Sequence, residues 1–368
     1  QIFWRDALDN GLTVLPVDIN ESQYRFEPVP DKHLEEKGSI RTIRYGMGGV
    51  KGVGEGAIEN ILKARNEDGP FKDLYDFCSR IDRHTVNKRA IEALIRAGAF
   101  DNLESNRRAL LESLSKAIEA AEQTDRNANQ GSLFGDDSGD IVAHEISSIK
   151  PWNLYDMLIE EKKALGFYFS HHLFDVWRDE VRRFAPAPLA TLKESRASQW
   201  VAGVLIASRA FQLKGKDERL YFLLIDDGSA QIEVTCDANL YESCRHLINT
   251  DDLLLVQARV SRSSFNNTLR VNANALYNLQ SAREAVASDL TVVLNEPIAP
   301  KQLHILMNPF RAEPENGFPG VSVKFQYQPD KHTVCEIVLG EEWRVRLNPQ
   351  FLEGLSSRKE IASFEVNY

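Results

Sequence analysis

The chain has 368 residues, 27% charged and 43% hydrophobic, with a formal net charge of −10. That is ordinary for a globular protein of two or three domains, and no apolar run approaches the roughly 20 residues a membrane span needs. Cys78, Cys236, Cys244 and Cys335 are scattered without Cys-x-x-Cys spacing, which argues against zinc and against a disulfide framework. Cys236 and Cys335 lie in apolar, strand-like runs and are expected in cores. The chain starts at Gln1 rather than Met, which reads as a piece of a longer chain. It has no basic-plus-apolar leader, so nothing suggests export, and reduced thiols in a cytoplasmic protein are expected.

An acidic total does not advertise a nucleic-acid binder, but binding follows local patches rather than net charge. The acid gathers between residues 130 and 161. Between residues 41 and 65 the balance reverses, with Arg41, Arg44, Lys51, Lys63 and Arg65 against Glu55 and Glu59.

Residues 1–40, including Val14-Leu-Pro-Val-Asp-Ile-Asn20, read as extended chain and turns, because Pro16 and the Asp and Asn positions resist a long helix. A helical region, 41–123, follows. Val50-Lys51-Gly52-Val53-Gly54 runs into helical periodicity carried by Ile58, Ile61 and Leu62. Two glycines around one apolar residue permit a turn that a Cβ would resist. The helix start beyond it attracts anions, because free N–H groups and the positive end of the dipole coincide there. With Lys51 beside the turn and Arg44 before it, this is the spacing of a helix-hairpin-helix that grips phosphates. A plain glycine turn between packed helices is the alternative.

Val86–Ala97 is expected as a helix ending at Gly98, and Arg107–Ala121 as another. Arg80, Arg83, Lys88 and Arg89 either extend the basic surface or form a solvated face. Periodicity fails from Gln123 to about Ser148, so 124–150 reads as a flexible linker. Within it, Gln130-Gly-Ser132-Leu133-Phe134 offers apolar side chains to a partner. A helical connector, 151–197, has Glu160, Glu161, Lys162 and Lys163 on a solvated side. His171-His172 favours a structural role over metal, with no Cys or further His nearby.

Residues 198–280 give three strands, a helix and two strands, the order of an OB-fold barrel that commonly binds single strands. Such binding needs cations and aromatic faces, supplied by Lys214, Lys216, Arg219, Tyr221, Arg259, Arg262, Phe265 and Arg270. Alternation sends Tyr221 and Phe222 to opposite faces, so one of them is core. The near-neutral balance implies weak, salt-sensitive binding, and a structural or protein-binding barrel is the other reading. Residues 285–368 form a small α+β unit with strands that include Thr333–Leu339 and Trp343–Leu347. The fold class is therefore multidomain α+β: a helix-hairpin-helix region, a five-stranded OB barrel and a small C-terminal α+β domain.

Several strings carry a family resemblance. Val14–Phe26, Tyr45–Arg65, Ala99–Leu103 and Leu165–Phe174 resemble the alpha subunit of bacterial DNA polymerase III, the replicative C-family polymerase, over its C-terminal region. Leu173 stands where that family's connector has proline. The resemblance implies that residues 1–40 end a fingers-like segment and that the hairpin (Arg44, Lys51, Gly52, Val53, Gly54) holds duplex DNA. It also implies that Gln130, Ser132, Leu133 and Phe134 dock on the sliding clamp, that the barrel meets single-stranded template, and that the last domain contacts the clamp-loader tau subunit. Other polymerase III core subunits are implied partners. The parent would be a Mg2+-dependent DNA-directed DNA polymerase, but the carboxylates that hold two metal ions lie upstream, so this stretch alone is expected to be inactive, without cofactor or metal. An error-prone paralogue or a generic helix-hairpin-helix/OB nucleic-acid binder is the alternative. An NAD-dependent ligase needs Lys-x-Asp-Gly, which is missing.

Overall fold

The computed structural model describes residues 6–7, 10–29, 42–131, 146–212, 219–263, 268–312, 320–330 and 333–368. It divides into two compact units, Gln1–Val176 and Trp177–Tyr368. Among the described residues no helix is long and apolar enough to cross a membrane.

In the first unit β1 (Thr13–Leu15), β2 (Glu27–Pro28) and β3 (Thr42–Arg44) form a small sheet in the order β1-β3-β2. Beyond β1 the chain does more than extend. Val17, Asp18 and Ile19 are all buried. The Asp18 carboxylate accepts the N–H groups of Asn20 (2.7 Å) and Glu21 (3.0 Å), a turn that short acidic side chains stabilise. Asp18 also accepts the Asn102 amide, and the Ile19 N–H donates to the Ala99 carbonyl at 2.7 Å. Two strings that carry the family resemblance thus clasp one another.

Among the described residues five helices build the core around them: α1 (Glu55–Asp68), α2 (Leu74–Arg80), α3 (Lys88–Arg96), α4 (Arg107–Gly131) and α5 (Leu154–Leu165). Asp73, Asn87 and Asn153 cap α2, α3 and α5 by accepting the N–H three residues on. Ile58, Ile61, Phe77, Leu94, Phe100 and Leu114 meet in one cluster. Phe77 stands edge-on to Phe71 (4.9 Å) and Phe100 (5.1 Å), the arrangement that ring quadrupoles favour.

The expected linker is corrected at both ends. The helix α4 runs through Gly131, because a nucleated helix propagates readily through Ala, Glu, Gln and Arg. At the far end Ser147 N–H donates to Ser113 Oγ at 2.9 Å and Asn106 to the Ile149 carbonyl at 2.7 Å, so residues 146–150 lie against α4. The histidine pair takes part in a turn: His172 Nδ1 accepts the Phe174 N–H at 3.2 Å.

The second unit holds the barrel. Its strands are β4 (Ser195–Gln212), β5 (Arg219–Asp226), β6 (Gln231–Asp237), β7 (Leu253–Arg262) and β8 (Leu269–Tyr277), with α6 (Ala238–Ser243) between β6 and β7. Pairing runs β4-β5-β6-β8-β7 and returns to β4, closing the ring. The parallel β6–β8 join is its narrowest seam, at Val234↔Val271 and Thr235↔Asn272. Leu205, Leu223, Ile225, Val234, Val256 and Val271 fill the interior. Buried Asp227 accepts the N–H groups of Leu189 and Ser229, both at 2.9 Å, and the Arg182 guanidinium, bolting the incoming chain to the β5–β6 turn.

From the barrel, α7 (Leu279–Val286) leads to a four-stranded sheet of order β11-β10-β9-β12, made of β9 (Asp289–Leu294), β10 (Ser322–Asp330), β11 (Thr333–Val338) and β12 (Ile361–Asn367). Side chains from α8 (Pro300–Met307) and α9 (Pro349–Ser356) share its core. Arg283 of α7 and the Tyr368 hydroxyl both donate to Glu180. Burial opposes charge on Glu180, yet those bonds outweigh it and hold the carboxyl below its ordinary range.

Two expectations fail here. Trp343–Leu347 is not a strand: Glu341–Trp343 is a 3-10 turn, and only Val345 makes isolated bridges. Cys335 is exposed, because β11 is an edge strand whose side chains no neighbour covers among the described residues. Cys236 is core as expected, and burial pushes its thiol and that of Cys78 up to about 12, so both stay protonated at neutral pH.

Candidate nucleic-acid interface

The hairpin is held from below and open above. Val50 and Val53 are buried, while Lys51, Gly52 and Gly54 are exposed. Gly52 has φ +84 and nothing within 4 Å of where a Cβ would sit, so glycine is demanded there by backbone conformation rather than by space. Gly54 caps α1 in extended conformation with no side-chain cap, again with open space around it. The first turn of α1 is therefore approachable, although Glu55 sits in it and takes part of the dipole's pull.

A second helix start adjoins the first. Asp82 N–H donates to Asn60 Oδ1 of α1 at 2.9 Å, and Thr85 lies 3.8 Å from the notional Cβ of Gly56. Two residues after Thr85, Asn87 caps α3, whose first residues Lys88 and Arg89 are exposed.

Most of the cations named from sequence are engaged within the unit. Arg65 is buried and donates to the Ile19 (3.1 Å) and Ser22 (2.9 Å) carbonyls, so it braces the Asp18 turn instead of a ligand. Arg80 donates to the Ala64 and Gly69 carbonyls and pairs with Asp76. Arg83 pairs with Asp125, and Lys88 reaches Ser115 Oγ at 2.8 Å. Arg44 lies on β3 opposite Glu27 and donates to the Pro16 carbonyl at 3.3 Å. Arg41 is outside the described residues.

Lys51 is tied to α5. Its N–H donates to the Ala164 carbonyl at 2.8 Å, and its Nζ lies 2.6 Å from where a Cβ on Gly166 would be. Gly166 ends α5 at φ 89, ψ 0, a left-handed cap, so the ammonium rests at the negative end of that helix. The same cap places Phe167 and Phe169 against Tyr45, at 6.3 and 5.8 Å between ring centres.

Glu161 organises this brace, and the expectation of a solvated side is wrong for it. It is 1% exposed and accepts the N–H groups of Phe169 (2.6 Å) and Ser170 (2.9 Å), the Ser170 hydroxyl (2.8 Å) and Arg107 Nη1 (3.2 Å). Arg107 also pairs with Asp101. The charge is buried because every oxygen has donors. A run of four charged residues gives no sequence signal that one of them points inward.

On the barrel, register lays a row across the outer surface. Arg209 stands opposite Phe222, Phe222 opposite Thr235, Thr235 opposite Asn272, and Asn272 opposite Arg259. The Arg209 guanidinium lies 5.1 Å over the Phe222 ring, and Phe211, 53% exposed, stands edge-on to that ring at 6.4 Å. Tyr221 takes the other face. Its ring stacks on Tyr241 of α6 at 3.6 Å and 7°, packed against the barrel core. The surface aromatic is thus Phe222, joined by Phe211. Arg270 is exposed and, standing opposite Ser261, shares the face of this row; Arg219, exposed at the start of β5, falls on the face of Tyr221, and Arg262 stands opposite Leu269.

Family profiles agree with both halves: one described as a helix-hairpin-helix motif matches residues 11–110, and one described as an OB-fold nucleic acid binding domain matches 199–279. The DNA polymerase III subunit alpha of Neisseria meningitidis serogroup A is 38% identical over 294 residues, 79% of this chain and 25% of that one. Those of Vibrio cholerae serotype O1 and Pasteurella multocida are 36% and 30% identical over 94% and 99% of this chain, and 29% and 31% of theirs. The chain belongs to the DNA polymerase III alpha family. It spans roughly a quarter to a third of the length of these curated relatives.

In this alpha-family chain several residues singled out from sequence lie outside the described ones: Ser132, Leu133, Phe134, Lys214, Lys216 and Phe265. The backbone of Gln130 belongs to the last turn of α4. Phe211, Arg209 and Glu161 are the residues that sequence reasoning passed over. Strand alternation counted back from Phe222 and across to β4 is the signal that would have found the first two.

Proposed function

We propose that this alpha-family region is the non-catalytic, nucleic-acid-holding and partner-docking part of a cytoplasmic replicative DNA polymerase, whose polymerase chemistry belongs to the rest of the subunit. The hairpin at Lys51–Gly54, with the adjoining start of α3, holds phosphates of duplex DNA. The Phe211–Phe222 face with Arg209 and Arg259 stacks and tracks single-stranded template. Gln130, Ser132, Leu133 and Phe134 tether the enzyme to the sliding clamp, and the C-terminal domain docks the clamp-loader tau subunit. Each contact is weak alone. Linked on one chain they raise the local concentration of polymerase at the primer end, a physical route to processivity.

The observation that carries the reading is an open helix start behind a positive-φ glycine, in the same chain as an outward aromatic and basic row on an OB barrel. Replacing Gly52 and Gly54 by Val is expected to weaken duplex binding by about three- to tenfold, the worth of one helix-terminus anion site, and to flatten its salt dependence. Fluorescence anisotropy on a duplex across a salt series reads this; an unchanged affinity and slope would return the hairpin to a plain turn. For the tether, calorimetry against purified clamp should give micromolar binding that Leu133→Ala with Phe134→Ala abolishes while DNA binding stays intact. Equal clamp affinity in the double variant removes the tether from the reading.

A further inference from the structure

The C-terminal sheet ends at β11, which pairs with β10 on one side and, among the described residues, with no strand on the other. All of Thr333–Val338 is exposed, with Val334 and Ile337 at 61% and Val338 at 55%. Such an edge presents unpaired backbone groups to any extended chain.

Register says which groups these are. Leu339 N–H donates to the Val323 carbonyl at 3.0 Å. Antiparallel pairs alternate between bonded and open, so Ile337↔Phe325 is bonded, whereas Glu336 and Val338 turn their N–H and C=O away from β10. The side chains divide in the same way. Ile337 shares the face of buried Phe325, and Glu336 and Val338 share the opposite face with Gln326 and Lys324.

Charge then selects the occupant. Glu336 accepts the Gln326 amide at 3.1 Å and makes no ion pair among the described residues, since Lys324 is held by Asp289 at 3.0 Å. A second copy is a poor fit, because symmetric pairing about this row sets Glu336 against itself, and like charges directly opposite destabilise a sheet. We propose that β11 docks an extended segment of another protein, added as a strand, with Lys or Arg opposite Glu336 and β-branched apolar residues on either side. Main-chain bonds supply the affinity and the Glu336 position the selectivity, as in other strand-addition interfaces. The inference goes beyond the nucleic-acid reading and uses neither hairpin nor barrel.

The probe is a blocked synthetic peptide carrying Val-Ile-Lys-Ile-Val, beside its Lys-to-Glu form, titrated into the full chain. The lysine peptide should bind saturably and slow amide exchange within residues 333–339. The glutamate peptide should bind about fivefold more weakly, from the sign of one cross-strand charge pair. Glu336→Lys should reverse that preference, which a merely sticky edge would not do. Equal affinity of both peptides, protection elsewhere, or no saturable binding would overturn the proposal. Concentration-dependent dimerisation with β11 protected would also overturn it, by giving the edge to a second copy.

Discussion

Replacing Phe211 and Phe222 together by Ala is expected to lower affinity for a single-stranded oligonucleotide by about thirtyfold or more. Stacking on an aromatic side chain is worth about 1–3 kcal/mol per base, and two such faces are lost. Both rings stand on the outer surface, with Arg209 over one of them, so the barrel interior of Leu223, Val234 and Val271 is untouched and the melting temperature should hold. The informative control is Tyr221→Ala. Tyr221 is stacked on Tyr241 against α6, so its loss should cost stability, on the order of 1–3 kcal/mol with the stack and burial removed. Affinity per folded molecule should stay the same. Anisotropy with a poly-pyrimidine probe, beside thermal melts, separates the two. Binding that survives the Phe double variant and falls with Tyr221→Ala would put the contact surface on the other side of the barrel.

That contrast marks where the sequence was legible and where it was not. The strand order of the barrel could be read because alternation and turn chemistry are local, and β5, β7 and β8 end where periodicity ends. Alternation also shows that Tyr221 and Phe222 part company. Which of them faces out depends on α6, a helix that arrives in the chain some twenty residues later and covers Tyr221 with Tyr241. Cys335 fails for the same kind of reason: its run is apolar enough for a core, but edge position is a property of sheet order. The Gly52 turn was readable from spacing alone, whereas Gly54, extended and with open space around it, is not demanded by backbone conformation. The place of Arg65 was not readable, because the carbonyls of Ile19 and Ser22 that capture it lie more than forty positions upstream in the chain.

Glu161→Ala is expected to be the most damaging single change in the first unit, lowering its stability by about 3–5 kcal/mol, the usual cost of breaking a buried charged pair. The substitution leaves the N–H groups of Phe169 and Ser170 and one side of Arg107 facing an empty site. Glu161→Gln keeps an acceptor for the two N–H groups and gives up the charge, so it should lose clearly less. The damage should travel. The turn that Glu161 holds begins at the Gly166 cap, where Lys51 is anchored through Ala164, and continues to Phe169, which packs on Tyr45. Loosening it releases the hairpin from its brace without touching Gly52 or Gly54. Duplex affinity should therefore fall in Glu161→Ala even at temperatures where circular dichroism reports a folded chain, while single-strand binding by the barrel stays at its original value. Hydrogen exchange should show Lys51 and Phe169 amides losing protection together. A variant that melts within about 0.5 kcal/mol of the parent, the range of an ordinary surface substitution, would mean that Arg107 and Asp101 suffice and that Glu161 is not the brace.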